Sequence, residues 1–187
     1  MTNPVIEAIR GRRSIRFYED KPVPAELVEL LVELGQLAPT GKGVQAWHFT
    51  VLRDRALMTE ISEANKALML ASGDAAEIEK AQEPGFDTFR GAPMAIILSG
   101  EVGQPYAEAD CANAMTTMAI AAESMGLSSC YIASFRKALG KPEYADLLAR
   151  LELPAGYEPK YALSLGYCAK APNPRKPRKE GAVNYVG

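Results

Sequence analysis

Leucines recur three and four residues apart in PAELVELLVELGQLAPT, at Leu27, Leu30, Leu31, Leu34 and Leu37, with Glu26, Glu29 and Glu33 on the other side. That spacing predicts an amphipathic helix ending near Pro39. A shorter helix is predicted over residues 3–10, NPVIEAIR, with Asn3 as cap and Pro4 in the first turn. WHFTVLRD crowds aromatic and β-branched residues into a strand, and DRALMTEISEANKALML returns to helical spacing. APMAIILSG is apolar on both faces, which predicts an interior strand. SSCYIAS and PKYALSLGY predict two further strands, and FRKALGKPEYADLLARL is helical in pieces, interrupted at Gly140 and Pro142. Residues 73–90 show no period and read as a loop over the core.

The stretch from Ala109 to Met125 is apolar or small all the way round before Gly126 ends it. One protein layer in a chain of 187 residues hardly covers every face of such a helix. The region around Ala112, Met115 and Ala119 is therefore expected to meet a second copy of the protein. Strands alternate with helices, but the long loops and the enclosed helix favour an α+β fold. The expected organisation is one domain over residues 1–187, with an extended tail over 170–187.

Composition narrows the function classes. The chain is 48% hydrophobic and 24% charged, and its 21 basic and 23 acidic residues give a net charge of −2. No global field draws it to nucleic acid or to an anionic membrane. No apolar run reaches the roughly 18 residues of a membrane span, and the start lacks the pattern of a secretion signal, so a cytoplasmic location is expected. Cys111, Cys130 and Cys168 stand apart without a CxxC pair and read as small buried hydrophobes. His48 is the only histidine and has no acid or nucleophile beside it, so a structural role is expected and no metal site is legible.

The chemistry is local. RRSIRFYEDKPVP packs Arg12, Arg13, Ser14 and Arg16 into five positions. In an extended segment Arg12, Ser14 and Arg16 share a face, and two guanidiniums with a hydroxyl between them suit a phosphate. The competing reading is a solvated patch, or ion pairs with Glu19 and Asp20. The tail carries Lys170, Arg175, Lys176, Arg178 and Lys179 among prolines, a possible second half of the same clamp, and ends in apolar Val183, Tyr185 and Val186. In LAPTGKGVQAWHF, Thr40, Gly41 and Gly43 form a loop whose backbone can approach a flat ligand. Lys42 does not belong to a P-loop, because the spacing is absent.

RRSIRFY, LAPTGKGVQAWHFTVL, DCANAMTTMAIAAESMGLSSCYIASF, and LSLGY followed by PRKPRKEGAVNYV resemble, in order and over nearly the whole chain, the motifs of the nitroreductase family. The resemblance implies an α+β fold with a central mixed or antiparallel sheet flanked by helices, in an intertwined homodimer with one FMN in each cleft between subunits. It implies that Arg12, Ser14 and Arg16, with Arg13 beside them, hold the phosphate, ribityl chain and pyrimidine edge of FMN. Pro39, Thr40 and Gly41 match the loop that packs on the flavin from the partner subunit. Ala133 and Ser134 match the turn beside flavin N5, and Asn65 matches a polar side chain at the pyrimidine edge. The tail resembles the segment that returns to the phosphate, in a register that favours Arg178 and Lys179, with Lys176 as the alternative. Gly43 and Ala46 depart from the family's usual asparagine and proline. The implied activity passes electrons from NAD(P)H to nitroaromatic, quinone or similar acceptors by a ping-pong mechanism, with no catalytic side chain. Alternatives are a related flavin reaction, such as enone reduction, dehalogenation or use of flavin as substrate, and a flavin-binding protein without turnover.

Overall fold

The computed structural model describes residues 2–187. Helix α1 (Pro4–Gly11) starts where the Asn3 side chain accepts the Ile6 N–H. The leucine-rich stretch forms α2 (Ala25–Gln36), and WHFTVL forms β1 (Trp47–Leu52). Asp54 caps α3 (Arg55–Leu70) by accepting the Leu57 N–H. Then follow α4 (Ala75–Gln82), β2 (Met94–Glu101), α5 (Ala107–Ser124), β3 (Ser128–Ile132), the short α6 (Arg136–Leu139) and α7 (Ala145–Ala149), and β4 (Tyr157–Gly166).

The strands form one sheet in the order β1-β2-β4-β3, and all three pairings are antiparallel. β2 lies inside the sheet, as its two-sided apolar run requires, and seven of its eight residues are buried. Even-numbered β2 residues Met94, Ile96 and Leu98 pack with α2 and α5, whereas Ala95 and Ile97 pack with α3, α6 and α7. The sheet is thus covered by helices on both faces, in an α+β arrangement.

Two expectations are corrected. Residues 73–90 are not all loop. Asp74 accepts the N–H groups of Ala76 and Glu77, and the Ala-, Glu- and Lys-rich run behind that cap forms α4. Met115 and Ala119 are also buried within their own chain, because α5 packs on the sheet while α1 and α2 flank it. The helix leaves a narrower outward stripe: Ala109, Asn113 and Thr116 are exposed, and Ala112, Thr117 and Ile120 are half-covered. Gly126, at φ +73°, supplies the left-handed residue that ends α5, and Leu127 N–H returns to the Ala122 carbonyl at 2.8 Å.

Candidate cofactor site

Between α1 and α2 the chain runs extended along the β3 edge. Ser14 makes a parallel bridge with Ser129, and Ile15 N–H donates to the Ser129 carbonyl at 2.9 Å. Ile15 is buried, and it anchors the segment while its neighbours face outward. Tyr18 fixes the far end: its hydroxyl donates to the Ile15 carbonyl at 3.0 Å and lies 3.4 Å from the Ser164 carbonyl. Burial pushes the Tyr18 phenol well above the usual tyrosine range.

The tail comes back to this segment. Arg13 donates to the Asn173 carbonyl, and Arg175 donates to the carbonyls of Arg10 and Arg12 at 2.6 and 3.0 Å. These two arginines tie the ends of the chain together, a role that residue type alone did not distinguish from ligand binding. Between the two segments lies a cavity of about 590 Å³. Arg12, Arg13, Ser14, Arg16 and Phe17 line one side, and Lys170, Arg175, Lys176 and Arg178 contribute to the other. Seven cations and no carboxylate therefore face one space.

The competing ion-pair reading does not describe them. Asp20 pairs instead with Arg55 at 2.8 Å, and none of the seven cations has a carboxylate partner among the described residues. Such a group repels itself, and a ligand carrying more than one negative charge relieves the repulsion. The guanidinium forks of Arg12 and Arg16 and the Ser14 hydroxyl suit a phosphate ester. Of the three tail cations expected near the phosphate, Lys176 and Arg178 line the cavity and Lys179 is not among its lining residues.

The other expected residues lie elsewhere. Ala133 and Ser134 follow β3, with Ser134 exposed just before α6. Asn65 is buried in α3. Its amide donates to the carbonyls of Ile61 and Phe135 at 3.1 and 3.0 Å, and its oxygen accepts the Ala138 N–H at 3.0 Å. Both of its N–H bonds are thereby occupied in fastening α3 to α6, leaving no donor for a ligand. Pro39, Thr40 and Gly41 sit beside the first turns of α5, where Gly41 N–H donates to Asp110 Oδ1 at 2.8 Å and Asn113 donates to the Pro39 carbonyl at 3.0 Å. A Cβ on Gly41 would lie 2.3 Å from Tyr106 Cγ, so only glycine brings this backbone so close to the ring.

The arginine cluster and this loop occupy opposite ends of α5. Gly11, just before the cluster, abuts Glu123, whereas the loop is bound at Asp110. Those contacts lie thirteen positions apart along the helix, about 20 Å at the rise of an α-helix. Among the three cysteines, Cys111 and Cys130 are buried but Cys168 is only half-buried, correcting one of the three expected burials. Burial pushes the Cys111 thiol up to about 12. His48 packs edge-on against Tyr157, with ring centroids 6.0 Å apart.

Sequence reasoning missed Asp110, Asn113, Tyr18 and the tying role of Arg175. Asp110 had a legible signal: it is an acid on the apolar face of a buried helix, a position that carboxylates occupy when something bonds to them.

Comparison with known proteins assigns the class that this fold and site define. The model of the nitroreductase family matches residues 9–167, and the chain belongs to that family. A nitroreductase with bound FMN from Bacteroides fragilis shares 33% identity and superposes over 100% of both chains with a TM-score of 0.90. Another with bound FMN, from Desulfitobacterium hafniense, shares 26% identity over 100% of both chains with a TM-score of 0.93. An FMN reductase (NADPH) from Bacillus subtilis is 30% identical over 94% of this chain and 70% of its own length.

Proposed function

We propose that this protein is an FMN-dependent oxidoreductase that takes electrons from NAD(P)H and passes them to nitroaromatic, quinone or similar acceptors, working as a homodimer in the cytoplasm. The observation that carries the reading is the cavity that both ends of the chain line with seven cations lacking carboxylate partners. Its donor set fits a phosphorylated cofactor, and family membership and the FMN-bound relatives support FMN as that cofactor. Bound FMN supplies the hydride chemistry; the protein supplies position and electrostatics.

Arg12 and Ser14, with Lys176 and Arg178 from the tail, bind the phosphate. Arg16, which lines the same cavity, would hold the pyrimidine edge and favour negative charge there. The backbone at Ala133 and Ser134, in the turn that follows β3, would help orient the ring. With FMN bound, electron donor and acceptor would use the same site in turn, giving ping-pong kinetics with no side-chain acid required of the protein. The homodimer reading rests on the separation along α5: two copies packed with their α5 helices antiparallel bring Pro39–Gly41 of one to the arginine cluster of the other. The apolar tail end supports an intertwined dimer, since Val183, Tyr185 and Val186 are 67%, 95% and 99% exposed in the single chain.

The test is an absorbance spectrum of the purified protein, followed by anaerobic NADH or NADPH. Flavin bands that bleach with the nicotinamide and return with a nitroaromatic or quinone are expected. Protein that neither carries nor takes up FMN overturns the proposal.

A further inference from the structure

The Pro39–Gly41 loop is gripped at both ends by one helix. Asp110, 1% exposed, accepts the Gly41 N–H at 2.8 Å, and Asn113, three residues further along α5, donates to the Pro39 carbonyl at 3.0 Å. Residues three apart on a helix share a face, so the two side chains form a donor and acceptor pair matched to the ends of one tripeptide. Tyr106 backs the loop, because a Cβ on Gly41 would lie 2.3 Å from its ring.

The loop has reason to be held. Beyond Gly41 the backbone is left-handed at Lys42 (φ 55°), Gly43 (φ 70°) and Gln45 (φ 56°), two of them residues with a Cβ. A run of such conformations persists where the surroundings over-determine it. Asp110 is also an expensive residue to bury: its Oδ2 is enclosed and has no partner among the described residues. Burial of a carboxylate for the sake of packing alone is unfavourable, and the bond to Gly41 is the one that its oxygens make among the described residues.

We propose that Asp110 and Asn113 are positioning residues of the cofactor site, holding Pro39–Gly41 in the conformation that covers the flavin bound by a second copy of the chain. The proposal rests on the reading that FMN binds and that its site is shared between subunits. It makes α5 and the covering loop one rigid piece, so the surface that joins two copies also sets the geometry over each ring.

The experiment measures the Kd for FMN by quenching of flavin fluorescence, beside the thermal midpoint of the cofactor-free protein. Asp110→Ala tests the buried partner. Asn113→Ala removes an exposed amide and places a better helix former on α5, so it folds even if the first variant does not. Each is expected to raise Kd about three- to tenfold, the effect of one lost hydrogen bond, with the midpoint of Asn113→Ala unchanged. A mixed dimer is then prepared by co-expressing Arg12→Ala and Asn113→Ala chains under different tags. One of its two sites combines an intact arginine cluster with an intact loop from the other chain, so one site of wild-type affinity is expected. Wild-type affinity in the Asn113→Ala homodimer, or two weakened sites in the mixed dimer, overturns the proposal. Wild-type protein that takes up no FMN, or tags that never co-purify, overturns instead the function proposed above.

Discussion

Arg12 and Arg13 are neighbours with different work. Arg13 donates to the Asn173 carbonyl and holds the tail, while Arg12 lends the tail its carbonyl and keeps its guanidinium for the cavity. Arg12→Ala is therefore expected to weaken FMN binding by roughly 1.5–3 kcal/mol, about ten- to a hundredfold in Kd, with the fold intact. Unchanged affinity in a flavin titration would remove the phosphate assignment. Tyr18 gives a pH signature from the same segment. Its folded pKa lies above the unfolded value of about 10, so both states keep the proton below that pH. Above it the unfolded chain releases the proton first, and stability falls as pH rises, by up to about 1.4 kcal/mol per pH unit for this group. Tyr18→Phe is expected to lower stability at pH 7, through the lost bond to the Ile15 carbonyl, and to flatten the decline above pH 10. Denaturant titrations across that range provide the check. The residue types at the cluster were legible in the sequence, but their division of labour was not, since it depends on which carbonyls the returning tail presents.

Among the elements, α4 and α5 show where periodicity informs and where it does not. α4 has a weak apolar stripe and buries little beyond Ala81, so its existence depends on its cap and on helix-forming residues. Asp74→Ala is expected to cost about 1 kcal/mol through the lost cap, with α4 fraying first in hydrogen exchange. Full protection of residues 75–82 in that variant would contradict this. The apolar circumference of α5 correctly signalled enclosure. It could not say which neighbour covers which side, because α1 and α2 pack against it through contacts distant in sequence. Met115 and Ala119 went to the chain's own core for that reason, and the outward stripe is smaller and more polar than the sequence implied. The bonds of Asn65 were not legible for a related reason: a lone amide on a helix looks the same whether it faces a ligand or fastens α6.

For the folded chain taken together, strand assignments and the α+β class followed from local patterns, while the order β1-β2-β4-β3 is a long-range property that they do not encode. The cavity is long-range too, since its walls come from residues 12–17 and 170–178. Joining those walls sets seven like charges against one another with no acid between them. On the proposed reading, a cofactor phosphate bound there would act as a counterion that reinforces the Arg13 and Arg175 ties between the two ends of the polypeptide, and its removal is expected to loosen them. The Arg175–Lys176 and Arg178–Lys179 peptide bonds make this visible to trypsin. Cofactor-free protein in low salt is expected to lose its tail rapidly, and FMN or millimolar inorganic phosphate to slow the cut. Equal rates with and without the anion would show that the ends stay closed unaided. Where FMN slows the cut, the group that carries the electrons is also the one that guards the chain from proteolysis.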